Sequence, residues 1–378
     1  MVLHLHQPRY NARTMHYYQD AKGTYRHIID VLNAIPEARI NINVTGVLLE
    51  TMENGDPDLI DGFRGLAESG QVYFTACGQS HPIFPIVLMR CGKDACRTQL
   101  EMDHDTKRRL LHVEPKYVRP PEYGCSDAVM DMYQECGFSG TIAQDQVFFQ
   151  NRVGTDRAIV RPPKSGGGRE FRIVARNDGF SNVIGFNGKG LDDYTAWLRD
   201  GDGTPEKLAD DFSRRLLERS YGGVTLTDCD GEALGLWLQN SCVPPEKQNV
   251  LGPILRSIID KGIRLVHLPE LAESLPVMDA GEIPTGSYEP YGLWTWAGHP
   301  RHFRMWEAAE QCWEMHKRSG GDERVKRLAV DAMGSDWFWG ASRGWSDYWT
   351  ERPEECRKNI ESIMAENAPV QEAALAAA

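Results

Sequence analysis

Residues 25–44 decide how the whole chain is read. Tyr25-Arg-His-Ile-Ile-Asp-Val-Leu-Asn-Ala-Ile35 places apolar residues at helical spacing and stops at Pro36, and Ile40-Asn-Ile-Asn-Val44 then alternates apolar with polar residues. A period near 3.6 followed by a period of two means a helix that hands over to a strand. The same handover recurs outward from here. Val2–Leu5 reads as a strand before the helix. After it, Leu59, Phe63 and Leu66 mark a helix closed by Gly70, and Gln71–Ala76 reads as the next strand. Arg90–Leu111 is helical in pattern, and Tyr117–Arg119 leads into the double proline Pro120-Pro121. Ser126 is placed as the N-cap of a helix carrying Val129, Met130 and Tyr133 and ended by Gly137. Thr141–Ala143, Phe171–Ala175, Val183–Phe186, Val224–Leu226 and Leu265–Leu268 are further strand segments. Thr204-Pro205-Glu206 opens a helix with Leu208, Phe212 and Leu216 at four-residue spacing.

Strands alternating with helices imply βαβ units and a parallel sheet. This many strand segments before residue 276 fit a closed (β/α) barrel better than a doubly wound sheet, and no GxGxxG follows the first strand. The glycine-rich run Ser165-Gly-Gly-Gly168 precedes a strand rather than a helix, so it reads as a flexible loop and not a phosphate cradle. Beyond residue 276 the pattern changes: Met278–Pro300 is loop-like, and Arg301–Arg318, Asp322–Met333 and Pro353–Asn367 are helical. The expected division is a barrel over 1–276 and a C-terminal helical domain over 277–378, with Gln371–Ala378 frayed.

Of 378 residues, 41% are hydrophobic and 25% charged, which is globular composition. The formal charge of −12 argues against a nucleic-acid or anionic-membrane partner and suits a neutral or cationic small substrate. No apolar run is long enough for a transmembrane helix, and the N-terminus lacks the pattern of a secretory signal. Nine cysteines with no CxxC pair read as free thiols of a cytoplasmic protein.

Four clusters carry chemistry, each at the expected C-terminal end of a strand, where (β/α) barrels gather catalytic groups. His4-Leu-His6-Gln7-Pro8 puts two imidazoles on one side of the first strand. His81-Pro82 follows the third. In Tyr117-Val-Arg119-Pro-Pro-Glu122, the double proline forces Glu122 out of the sheet as a nucleophile or base. Asp228-Cys-Asp230-Gly-Glu232 crowds three carboxylates, which raises at least one pKa and keeps an acid protonated near neutrality. Glu122 with one of the later aspartates makes the two-carboxylate device of glycoside hydrolysis. Eight of the ten tryptophans lie after residue 290; most are assigned to a helical core, whereas Trp294 and Trp296 sit in an apparent loop suited to a sugar face.

These clusters, in this order, resemble glycoside hydrolase family 57. His4-Leu-His-Gln-Pro8, Gly70-Gln-Val-Tyr-Phe with His81-Pro82, Arg119-Pro-Pro-Glu122, Asp230-Gly-Glu-Ala-Leu-Gly235 and Ala332-Met-Gly-Ser-Asp336-Trp337 match its five motifs. The resemblance implies an incomplete (β/α)7 barrel followed by a C-terminal helical region that completes the cleft. It also implies a retaining glycoside hydrolase or 4-α-glucanotransferase acting on α-glucans, without cofactor or metal. Glu122 is then the nucleophile and Asp230 the general acid/base. His4, His6, Gln7, His81, Arg119, Glu232 and Asp336 line the substrate, with Trp237, Trp294 and Trp296 as aromatic candidates. Two other readings stand beside it. One is a metal-dependent deacetylase or mannosidase-like enzyme using His4, His6, His81 and Asp230. The other is a glycan-binding homologue without turnover.

Overall fold

The computed structural model describes residues 1–9, 15–144, 158–161, 170–184, 194–219, 224–278, 283–288, 292–345 and 347–377. Nine strands fall within them: β1 (Val2–Leu5), β2 (Ile40–Val44), β3 (Val72–Thr75), β4 (Tyr117–Val118), β5 (Gly140–Gln144), β6 (Ala158–Arg161), β7 (Phe171–Arg176), β8 (Asp228–Asp230) and β9 (Val277–Met278). They form two sheets, β3-β2-β1-β8 and β4-β5-β7-β6-β9. A parallel bridge between Ala76 and Val118 joins them, with Ala76 N–H donating to Tyr117 O at 2.9 Å and Arg119 N–H to Ala76 O at 2.8 Å. Seven strands thus run parallel in the order β8-β1-β2-β3-β4-β5-β7. Among the described residues β7 and β8 form no ladder; just beside them Asn177 N–H donates to Leu226 O at 2.8 Å. This is an incomplete (β/α)7 barrel, with antiparallel β6 and then β9 added outside β7.

The helix of residues 25–35 is the end of a longer one, Met15–Asn33, which buries Tyr18, Tyr25, Ile28, Ile29 and Leu32 against the barrel. Ser126 caps Asp127–Glu135 as expected, accepting from Val129 N–H at 3.3 Å. The reading of Arg90–Leu111 as one helix is corrected. The chain forms Phe84–Arg90 and Lys93–Leu111, broken where Gly92 takes φ +87°, a conformation glycine adopts without Cβ strain.

Three strand assignments are also corrected. Asp178–Ile184 is helical because the Asn177 side chain accepts from Phe180 N–H at 3.1 Å and starts a turn; residues 185–186 lie outside the described ones. Val224–Leu226 does not pair, and the strand is Asp228–Asp230, which takes its register from Val2, Leu3 and His4. Residues 265–267 stay unpaired because Leu268 begins a helix whose first N–H is capped by Asn41 Oδ1 at 2.7 Å. The Ser165–Gly168 run lies outside the described residues.

Pro300–Arg318, Glu323–Asp331, Ser335–Ser342 and Asp347–Ala377 make up the helical C-terminal region, so the tail expected to fray continues as helix. One apolar cluster unites barrel residues such as Ile83, Val118 and Ile173 with Trp306, Trp313 and Trp337 from these helices. Trp306 stacks on Phe338 with centroids 4.0 Å apart. Arg327 on Glu50 at 2.6 Å adds an ion pair to the seam, and Arg352 on buried Asp331 at 2.6 Å ties two of the C-terminal helices together. Among the described residues no helix is long and apolar enough to cross a membrane.

Candidate active site

The site grows from the strand register. His4 in β1 lies opposite Asn43 of β2 on one side and Asp230 of β8 on the other. His4 Nδ1 pairs with Asn43 Oδ1 at 2.8 Å, and Asn43 Nδ2 donates to Thr75 Oγ1 at 2.9 Å. Two residues on, His6 Nδ1 pairs with Thr45 Oγ1 at 2.9 Å, and its Nε2 meets Asp336 Oδ2 at 2.6 Å. The alternation Ile40-Asn-Ile-Asn-Val-Thr45 therefore turns its polar residues to one side, where Asn43 and Thr45 hold the two imidazoles and Asn41 caps the helix at Leu268. Sequence reasoning read that alternation as a strand but missed what the polar face does.

His81 stands in a turn at φ +58° and stacks on both rings, 4.2 Å from His6 and 4.8 Å from His4 between centroids. The C-terminal region fixes it: Ser335 N–H donates to His81 O at 3.1 Å, and His81 Nδ1 pairs with Ser335 Oγ at 2.8 Å. Its buried Nε2 has no hydrogen-bond partner among the described residues. Burial is the main reason that His4 and His81 titrate well below the usual imidazole range, and neighbouring charges on the other histidines and Arg119 push the same way. Both are neutral at pH 7.

Glu122 leaves β4 in the short turn Pro121–Tyr123, as the double proline requires. Both Glu122 (φ +52°) and Tyr123 (φ +54°) are left-handed, at a cost on the order of 1–3 kcal/mol each. Tyr288 N–H donates to Glu122 O at 2.8 Å and helps hold the turn. The carboxylate lies 3.9 Å from His81 Nδ1 with 29% of its side-chain surface open, so a substrate can reach it. Its pKa is pushed up to about 7, first by burial and then by the charge of Asp230, with Arg119 opposing. Asp230 is also raised, by burial first, with Arg119 opposing and Asp228 adding to the rise. The charge of Asp230 thus reaches Glu122 and helps it hold its proton.

Beneath them is a buried polar layer. Arg119 Nε donates to Asp228 Oδ2 at 3.2 Å, and Arg176 at the end of β7 donates to Asp228 O at 3.2 Å and Gln144 Oε1 at 2.9 Å. Glu232 is turned away from the cleft: its Oε1 accepts from Tyr25 O–H at 2.5 Å and from His6 N–H at 3.3 Å. Arg119 and Glu232 are buried, with Arg119 Nε on Asp228 and Glu232 Oε1 on Tyr25 and His6. Trp296 is corrected as well; it is fully buried, and its carbonyl accepts from Trp306 Nε1–H at 2.9 Å. Trp294 is 76% exposed, Trp237 packs half-buried against the barrel core, and Gln7 is half-buried after β1.

Burial holds the Glu232 pKa up at about 7 against an ordinary 4.5, so the native state binds the extra proton between those values. Stability from this group is full below about pH 4.5 and is lost as pH rises through 7. Glu232→Gln copies the protonated acid. Urea unfolding at about pH 5 and pH 8 is expected to show the parent losing roughly 2–3 kcal/mol that the variant keeps. Parallel pH dependence in the two proteins contradicts this assignment.

His6, His81 and Asp336 offer ligand atoms within 4.8 Å of one another, a set that includes neither His4 nor Asp230. The His6 and His81 rings are stacked at 22° between planes, so their in-plane lone pairs run side by side. A tetrahedral metal needs them to converge at about 2.0–2.1 Å.

A family model for glycosyl hydrolase family 57 matches residues 1–244, and the chain belongs to that family. A 4-alpha-glucanotransferase of Thermococcus litoralis is 23% identical over 236 residues, which cover 62% of this chain and 32% of that protein. An alpha-amylase of Pyrococcus abyssi is 30% identical over 294 residues, covering 78% and 41%. The chain thus spans about a third to two fifths of the length of these relatives. Among solved structures, a branching enzyme of the same family from Thermococcus kodakaraensis superposes with TM-score 0.75 at 15% identity, covering 97% of this chain and 90% of that one. The alpha-amylase AmyC of Thermotoga maritima gives TM-score 0.70 at 14% identity, with 97% and 92% covered. At these identities the superpositions speak for the fold.

Proposed function

We propose that the chain is a retaining glycoside hydrolase or 4-α-glucanotransferase acting on α-glucans. The observation that carries this reading is the placement of Glu122, 3.9 Å from His81, and of Asp230, in register with His4, at the ends of β4 and β8 beside the His6–His81–Asp336 row. Glu122 attacks the anomeric carbon while Asp230 protonates the leaving glycosidic oxygen. Asp230 then takes a proton from water or an acceptor hydroxyl, which displaces Glu122 and restores the original configuration. His6, His81 and Asp336 bind the hydroxyls of the sugar being cleaved, and Trp294 offers an exposed ring to a further sugar. The relatives named glucanotransferase and amylase support the substrate class.

In this reading the region 277–378 closes the cleft over the barrel of 1–276, a role suited to Ser335 and Asp336, which meet His81 and His6. All nine cysteines are free thiols, which fits a reducing, cytoplasmic setting. Incubation with maltooligosaccharides and separation of products by size tests the proposal. Products longer than the substrate mark transfer, shorter products alone mark hydrolysis, and no products from any α-glucan contradict it.

A further inference from the structure

We infer that Tyr123 is a positioning residue for Glu122, its ring held by the guanidiniums of Arg119 and Arg176 so that the neighbouring carboxylate has one direction; this rests on reading Glu122 as the nucleophile. Tyr123 is 3% exposed, its ring packed against two guanidinium groups. Arg119 Cζ lies 4.6 Å and Arg176 Cζ 5.0 Å from the ring centroid, within the range of cation–π attraction. Arg119 Nη2 also donates to Tyr123 Oη at 3.3 Å.

Neither cation is free to drift. Arg119 is fixed on Asp228 Oδ2, and Arg176 on Asp228 O, Gln144 Oε1, Asn182 Oδ1 at 3.1 Å and Asp178 at 3.2 Å. The ring therefore ties the exit of β4 to β7 and β8, across the part of the barrel where β7 and β8 form no ladder.

The tie matters because of the backbone between the two side chains. Glu122 and Tyr123 are consecutive, neither is glycine, and both are left-handed, a state that persists only where surroundings enforce it. On one side the turn is held by Tyr288 N–H on Glu122 O and by Cys125 pairing with Gly286. On the other side the Tyr123 ring is the anchor. Without it the turn relaxes toward right-handed conformations and carries the Glu122 carboxylate away from the anomeric carbon. A misplacement of about 1 Å is enough to cost roughly 10²-fold in rate.

The test compares Tyr123→Phe, which keeps the ring, with Tyr123→Leu, which removes it. Steady-state kinetics use a maltooligosaccharide and single-turnover kinetics use an α-maltosyl fluoride donor. Tyr123→Phe is expected to stay within about fivefold of the parent kcat, whereas Tyr123→Leu loses about 10²-fold in kcat with KM within about threefold. Equal losses in both, or a folded Tyr123→Leu with parental kcat, overturn the inference. If Tyr123→Leu does not fold, Arg176→Gln carries the test: about a tenfold loss of kcat at constant KM is expected, and parental kcat overturns it. Glu122→Ala is the control. An active Glu122→Ala refutes the underlying reading, whereas an inactive one beside a normal Tyr123→Leu refutes the positioning role alone.

Discussion

Glu122→Gln is expected to lower turnover of a maltooligosaccharide by at least about 10⁴-fold while leaving the fold and substrate binding in place. The amide matches the carboxylate in shape but has no anionic oxygen to bond to the anomeric carbon, so the covalent step is lost outright. The fold should tolerate the change. Glu122 is partly open, and the turn that carries it is held by the backbone contacts of Tyr288, Cys125 and Gly286. Removing the charge also relieves its repulsion with Asp230, so the melting temperature should hold or rise. Turnover within tenfold of the parent would remove Glu122 from the chemistry.

Asp230→Asn is the second large effect, and it differs in kind. A general acid matters most when the leaving group is poor, so turnover of natural oligosaccharides should fall by about 10²–10⁴-fold. Formation of the intermediate from a glycosyl fluoride needs little protonation and should be much less affected. The pH profile gives a second readout. Asp230 raises the pKa of Glu122, so its removal should shift the acid limb of the residual fluoride activity to lower pH. Burial, the larger cause, remains, and the limb should stay above the ordinary carboxylate value of 4.5. An acid limb that moves upward would mean the two carboxylates do not face each other.

Local pattern carried the barrel's first half. Val2–Leu5, Ile40–Val44 and Val72–Thr75 are apolar enough to read directly, and Pro8 and the Pro120-Pro121 pair mark where the chain leaves the sheet. Asp228–Asp230 was harder, since acidic residues are poor strand formers. Its charge is tolerated because Arg119, far along the chain, reaches Asp228. Leu265–Leu268 looked like a strand and was not, because a side chain on β2 starts a helix there.

The site was legible in its residues rather than in their division of labour. His6, His81, Glu122 and Asp336 lie beside one another, and Asp230 is in register with His4. Periodicity gave no sign that Asp336 would contact a residue on the first strand, and the resemblance supplied that. Neither route separated Arg119 and Glu232, which face protein partners, from side chains that face the cleft. Trp296 misled because a ring in an apparent loop can still be the centre of a core.

Trapping the covalent intermediate tests the central claim most directly. The protein is incubated with a 5-fluoroglucosyl fluoride, digested, and the labelled peptide sequenced by mass spectrometry. The account predicts one hexosyl adduct per chain, borne by Glu122 and absent from Glu122→Gln. An adduct on Asp230, which would exchange the two roles, or an unlabelled protein that still turns over α-glucans, would contradict it.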